Sequence, residues 1–263
     1  MRFSRRMLAA TLFVFLAQVP QVAAEEIKLV NTSKHMMVSS ALQEQVNIAV
    51  SVPFGYAQSK SSFPLLITLD GDVSFGMASE IPRLMSLEGS MPPVIVASVM
   101  YGDFRTWITK RQRDYHSKDG GAGKYLKALK TEILPYLKEN YRVKESDITL
   151  YGHSSGGWFA LFTAIKEPGL FQRVLASSPS VEEELGWADA IQNGGKGAAP
   201  ITPKVYVSVG GLETKTDAAL QSVVTALQKR SKEGRFRFER FVDMPHMAVM
   251  GLAYASGMKW LFS

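Results

Sequence analysis

Asp147-Ile148-Thr149-Leu150-Tyr151-Gly152-His153-Ser154-Ser155-Gly156-Gly157-Trp158-Phe159-Ala160-Leu161-Phe162-Thr163-Ala164 is the most telling stretch of this 263-residue chain. A short β-branched run enters a Gly-x-Ser-x-Gly turn and an apolar helix leaves it, which is the context of a nucleophile elbow. The glycines matter because the turn is strained and the helix packs close behind it, where a Cβ would clash. A serine on such a turn has its hydroxyl lifted above the sheet. The amide of the next residue, Ser155, then stands at a helix start and points where an oxyanion would form. Ser154 is therefore the candidate nucleophile, and the flanking strand and helix carry more weight than the five-residue pattern alone.

A serine hydroxyl needs a base, usually histidine, oriented by a carboxylate. In hydrolases of this architecture the chain order is serine, acid, histidine. Of the four histidines, His35, His116 and His153 precede Ser154, and His246 alone follows it, in Val242-Asp243-Met244-Pro245-His246. The acid is expected in the loop after the run Val205 to Val209, where Glu213 is nearest and Asp217 is an alternative at the start of a helix. Asp243 is a third candidate, close to the histidine in sequence. The second oxyanion donor is expected after Leu65 to Leu69, at Gly71 or Asp72, with the glycine allowing the next amide to aim inward. Asp70 and Asp72 without a histidine cluster are poor evidence for a metal site, and none is expected.

Continuous apolar runs at Leu65–Leu69 and Val94–Val99 read as strands buried on both faces. Met36–Ser40 and Val46–Val52 read as an opening antiparallel pair, and Phe171–Ser177, Lys204–Val209 and Phe236–Val242 as further strands. Helical spacing marks Ala78–Leu87, Tyr125–Tyr141, Asp217–Lys229 and Met247–Phe262. The alternation predicts an α/β-hydrolase fold, with a mostly parallel, doubly wound sheet and helices on both faces.

Arg2, Arg5 and Arg6 precede the apolar Met7–Leu16 and the small residues Val22-Ala23-Ala24, so residues 1–24 read as a secretory signal peptide and residues 25–263 as one α/β-hydrolase domain. Without its three arginines the chain keeps 27 basic against 24 acidic residues, a net +3. That balance, with no basic stripe, argues against a nucleic-acid partner. No later stretch reads as a transmembrane helix, and the absence of cysteine excludes a lipid anchor on cysteine, disulfides and thiolate chemistry. A soluble periplasmic or secreted protein is the expectation.

Further blocks extend the pattern along nearly all of the mature chain. They are Leu69-Asp70-Gly71, Arg113-Asp114-Tyr115, Gly120-Gly121-Ala122-Gly123-Lys124-Tyr125-Leu126, Pro135-Tyr136, Asn140-Tyr141-Arg142 and Ser177-Ser178-Pro179-Ser180, with the elbow and His246. In these the chain resembles the esterase D-like family of α/β hydrolases, which includes siderophore esterases. The resemblance implies hydrolysis of a small-molecule ester through Ser154 and His246 without a cofactor. It also implies that a Ser–His pair can suffice, which leaves the need for Glu213 open. The family often carries tryptophans just after Ser-Pro-Ser, near the acyl or aryl pocket; here that stretch ends at Trp187, a candidate substrate contact.

Arg105, Lys110, Arg111 and Arg113 gather in an expected loop before the long helix. They suggest either attraction of an anionic substrate such as a ferric catecholate, with Arg105 and Arg113 as contacts, or pairing with carboxylates such as Asp114 to hold the loop. Two other functions compete with ester hydrolysis: acyl transfer from the same acyl-enzyme, and a non-catalytic ligand-binding module on a hydrolase fold.

Overall fold

The computed structural model describes residues 26–117, 121–181, 191 and 200–263. The expected signal peptide and Trp187 lie outside the described residues. One sheet holds β1 (Thr32–Ser39), β2 (Glu44–Ser51), β3 (Phe63–Thr68), β4 (Ile95–Met100), β5 (Val143–His153), β6 (Arg173–Ser177), β7 (Lys204–Gly210) and β8 (Phe236–Phe241), in the order β1-β2-β4-β3-β5-β6-β7-β8. β1 pairs antiparallel with β2 and β2 antiparallel with β4, while every other pairing is parallel.

The apolar runs sort onto two faces by their alternation. Leu65 and Ile67, Val174 and Ala176, and Val205 and Val207 join one core, whereas Leu66, Leu175 and Tyr206 join the other. Helices α1 (Gly71–Leu87) and α7 (Val249–Phe262) cover the second core through Ala78, Tyr254 and Met258. On the opposite face lie α3 (Gly121–Ala128), a π-helical turn at Leu129–Ile133, α4 (Leu134–Asn140), α5 (Ser155–Lys166) and α6 (Asp217–Arg230). The expected α/β-hydrolase architecture, mostly parallel with helices on both faces, is the one observed.

Two segments differ most from the sequence reading. The helix expected to begin at Ala78 begins at Gly71, directly after Asp70, whose left-handed conformation (φ 55°) turns the chain out of β3. Its first turn buries only Gly71 and Ser74, so the apolar period is invisible there. The basic stretch expected as a loop is α2 (Phe104–Asp114), opened by Asp103, whose Oδ1 accepts from the amides of Arg105 and Thr106 at 2.9 and 3.0 Å. Its apolar side chains, Phe104, Trp107 and Ile108, are confined to its first half, and charged side chains dominate the rest.

β3 and β5 are neighbours, but the chain leaves β3 for β4 on one side and later returns to β5 on the other. The crevice at their carboxyl ends, between α1 and α5, is where ligands bind in open parallel sheets. The clamp of α7 on the sheet is close: a Cβ at Gly257 would stand 2.4 Å from Leu175 Cδ1 and 3.0 Å from Tyr206 Cδ1, both fully buried. At Gly251, in the same helix, only Met77 Sδ lies within 4.0 Å. Gly257→Ala is therefore expected to lose about 1–3 kcal/mol through overpacking, and Gly251→Ala to gain up to about 1 kcal/mol of helix propensity, both read from urea denaturation.

Candidate active site

β5 ends at His153 and α5 begins at Ser155, leaving Ser154 between them at φ 59°, ψ −123°. A non-glycine residue in that region costs on the order of 1–3 kcal/mol and persists only where its surroundings enforce it. Here the Ser154 amide donates to the Ser177 carbonyl and its own carbonyl accepts from the Trp158 amide, both at 2.9 Å. A Cβ on Gly152 would lie 2.1 Å from the Gly156 carbonyl oxygen, and one on Gly157 would lie 2.9 Å from that of Ser177. The turn is thus closed by contacts that only glycine permits.

Glu213 lies in the turn after β7 and His246 in the loop after β8. Oε1 of Glu213 accepts from the Gly210 amide and from Ser178 Oγ, both at 2.7 Å, and Oε2 meets His246 Nδ1 at 2.5 Å. Burial alone would raise this carboxyl, but the bonds from His246, Ser178 and Gly210 outweigh it and hold the pKa below its ordinary 4.5. The two loops are stitched together by Gly211 N–H to the Phe241 carbonyl at 2.7 Å and Leu212 N–H to that of Met244 at 3.2 Å.

Asp217 instead pairs with Arg240 at 2.5 Å, and Asp243 turns the chain at φ 61°. The His246 ring packs on His153 with centroids 4.6 Å apart. Burial first, then the nearby His246, push the His153 pKa down to about 3, so His153 stays neutral; its Nδ1 meets Ser177 Oγ at 3.1 Å. Ser154 Oγ is hydrogen-bonded to Ser180 Oγ at 3.1 Å, and among the described residues no hydrogen bond joins it to His246.

Gly71 and Asp72 are the first residues of α1. The amides of Val73 and Ser74 donate to the Asp70 carbonyl at 3.0 Å, while those of Gly71 and Asp72 have no backbone acceptor among the described residues. The reason for the glycine differs from the expected one. Asp70, not Gly71, has the positive φ, and a Cβ at Gly71 would stand 2.7 Å from Ser98 Cβ on β4. The Asp72 carboxylate accepts from the amides of Tyr101 and Gly102 at 2.7 and 2.8 Å, tying down the loop after β4. Ser155 opens α5 and is buried. A small cavity of about 50 Å³ adjoins Ser154, lined among others by Leu69, Val73, Trp107, Arg111, Met247 and Met250.

Neither Arg105 nor Arg113 lines that cavity. Arg113 binds Asp114 through Nε at 2.6 Å and Glu44 through an NH2 group at 2.7 Å, Lys110 binds Glu44 at 2.9 Å, and Arg105 is exposed. For Arg113 the observed arrangement is carboxylate pairing. The arginine that does reach the cavity is Arg111, together with Trp107, and the sequence reading gave neither a place there. Ser178 and Ser180 also went unassigned, although the Ser-Pro-Ser block that contains them stood out. Among the described residues no group of three or more histidine and carboxylate side chains converges as metal ligands would.

Residues 39–244 match the family model described as Putative esterase. The chain belongs to this family. It is 25% identical over 173 residues to the ferri-bacillibactin esterase of Bacillus subtilis (strain 168), covering 57% of this chain and 58% of that protein. It is 29% identical over 138 residues to the apo-salmochelin esterase of Escherichia coli O6:H1, covering 46% of this chain and 42% of that protein. The chain thus matches about half the length of these two relatives. Among solved structures, the siderophore hydrolase EstB from Aspergillus nidulans shares the fold with a TM-score of 0.78 at 21% identity, covering 90% of this chain and 96% of that one.

The lowered Glu213 pKa fixes the sign of a pH effect. As pH falls, the unfolded chain takes up this proton first, so stability supplied by the carboxylate is present above the ordinary carboxyl range and is lost as pH drops through the folded pKa. The stability difference between wild type and Glu213→Gln is expected to shrink as pH is lowered from about 6 to about 3. Urea denaturation across that range checks it, and a difference independent of pH contradicts it.

Proposed function

We propose that this protein hydrolyses carboxylic esters through an acyl-enzyme on Ser154, in an exported domain of residues 25–263 behind a signal peptide, with siderophore esters as its substrate class. The observation that carries the reading is the Glu213–His246 bond of 2.5 Å, with the imidazole packed against the residue preceding a serine on a strained elbow. Glu213 holds the Nδ1 proton, which leaves Nε2 free to act as base. Ser154 Oγ turns from Ser180 toward His246, gives up its proton and attacks the ester carbonyl.

The oxyanion is bound by the Ser155 amide and by those of Gly71 and Asp72, at the N-termini of α5 and α1. His246 then returns the proton to the departing alkoxide, and water, activated the same way, releases the acid. No step calls for a metal or cofactor. Membership of an esterase family supports ester hydrolysis. The siderophore assignment draws on two relatives whose names specify siderophore esters. The basic and apolar N-terminal segment supports export.

Mature protein is to be assayed on a catecholate siderophore ester, with and without iron, beside short-chain acyl esters. Ser154→Ala and His246→Ala are each expected to lower kcat by about 10³-fold or more, and Glu213→Ala by less. Ser154-dependent turnover that favours the siderophore ester supports the full reading. Turnover of simple esters alone removes the siderophore assignment, and full activity of Ser154→Ala removes the mechanism.

A further inference from the structure

Asp70 and Arg111 form a buried ion pair at the junction of the two candidate oxyanion elements. Their side chains are 6% and 11% exposed, with Arg111 Nε 2.9 Å from Asp70 Oδ1 and an NH2 group 3.0 Å from Oδ2. Trp107 Nε1 donates to the same Oδ1 at 2.7 Å. The guanidinium stacks 5.1 Å over Trp107 and 5.8 Å over Tyr115, whose hydroxyl accepts from the Asp70 amide at 3.2 Å. The same guanidinium reaches the elbow from both sides of Ser154, 3.4 Å from the His153 carbonyl oxygen and 3.4 Å from Ser155 Oγ. The carboxylate also presses on the elbow helix, since a Cβ on Gly156 would stand 3.0 Å from Asp70 Oδ2.

A buried ion pair is weak evidence for stability, because desolvation consumes most of its attraction. This one also sits under strain, with Asp70 at φ 55° immediately before Gly71. Oxyanion stabilisation depends on donors fixed in place before charge develops. We propose that Asp70 and Arg111 are positioning residues that lock the start of α1 against the elbow, so that the Gly71 and Asp72 amides and the Ser155 amide converge on one oxyanion. The inference rests on Ser154 being the nucleophile. Lysine cannot replace Arg111, because one ammonium supplies neither the two-pronged grip on the carboxylate nor the planar stack between two rings.

The test measures kcat and KM on a short-chain chromogenic ester and the inhibition constant of a small alkylboronic acid, which mimics the oxyanion. The proteins are wild type, Ser154→Ala, Arg111→Lys, Asp70→Asn and the double variant, each with a thermal melt. Arg111→Lys and Asp70→Asn are expected to lower kcat about 100-fold, with KM within about threefold and the boronate weakened by the same factor as kcat/KM. The double variant is expected to fall no further than about threefold below either single one, because both act through one device.

Folded variants that keep kcat, that raise KM alone, or whose losses multiply would overturn the inference while leaving Ser154 in place. Undiminished turnover by Ser154→Ala would instead overturn the underlying mechanism, and the inference with it. Trp107→Phe keeps the aromatic stack but removes one donor to Asp70, so it serves if either charge variant fails to fold. It is expected to lower kcat about 3–10-fold at unchanged KM, and unchanged kcat in that variant also overturns the inference.

Discussion

A methyl group at position 152 would stand 2.1 Å from the Gly156 carbonyl oxygen, and one at 156 would stand 3.0 Å from the Asp70 carboxylate. The close approach of β5, α5 and the start of α1 that these missing side chains permit is the constraint on which the site depends. It has a conformational consequence. Asp70, Ser154 and Ser178, at the carboxyl ends of the adjacent strands β3, β5 and β6, all have positive φ without being glycine. Each costs on the order of 1–3 kcal/mol, so each must be over-determined. Asp70 is gripped by Trp107 and Arg111, Ser154 by the Ser177 carbonyl, and Ser178 by the Ser208 carbonyl and the Glu213 carboxylate. The strain thus falls at the crevice, and the hydrogen bonds that sustain it also orient the candidate catalytic groups.

Those bonds close the two carboxylates of the site, Glu213 and Asp70, on their own donors. Glu213 is committed to His246, Ser178 and the Gly210 amide, and Asp70 to Arg111 and Trp107, so neither presents a loose negative charge to a developing oxyanion. His153 completes the arrangement from the opposite direction. It packs on His246, and a second imidazolium there would oppose protonation of the first. Burial keeps His153 neutral down to about pH 3, so no second imidazolium stands beside His246.

The strands, their parallel order and the elbow were legible because continuous apolar runs and glycine spacing are local signals. Chain order singled out His246 with equal economy, since the other histidines precede Ser154. Glu213 was favoured by its place after β7, but what separates it from Asp217 is tertiary: Arg240 takes Asp217, and Ser178 from another loop holds Glu213. The basic cluster was the least legible part. As a string, Arg105, Lys110, Arg111 and Arg113 look equivalent. Wound into α2 they face different ways, so that Glu44 and Asp114 take Lys110 and Arg113, while Arg111 turns inward to Asp70. The apolar residues of this helix, Phe104, Trp107 and Ile108, all lie in its first half, so the period is not marked through the charged second half that holds Lys110, Arg111 and Arg113.

That pairing changes how an anionic ester would be recognised. Glu44 and Asp114 oppose the charges of Lys110 and Arg113, so α2 offers little net positive field beyond a Debye length of about 8 Å. Discrimination then falls to contact at the cavity beside Ser154. Its volume of about 50 Å³ suits a group of only a few heavy atoms. Part of its lining is Met247 and Met250, unbranched side chains that change shape at low cost. Leu69 is buried and Arg111 is fixed by its bonds to Asp70, so the two thioethers are the adaptable part of that lining. Under the proposed mechanism, the methionine side of the cavity is the adaptable one and the arginine side the fixed one.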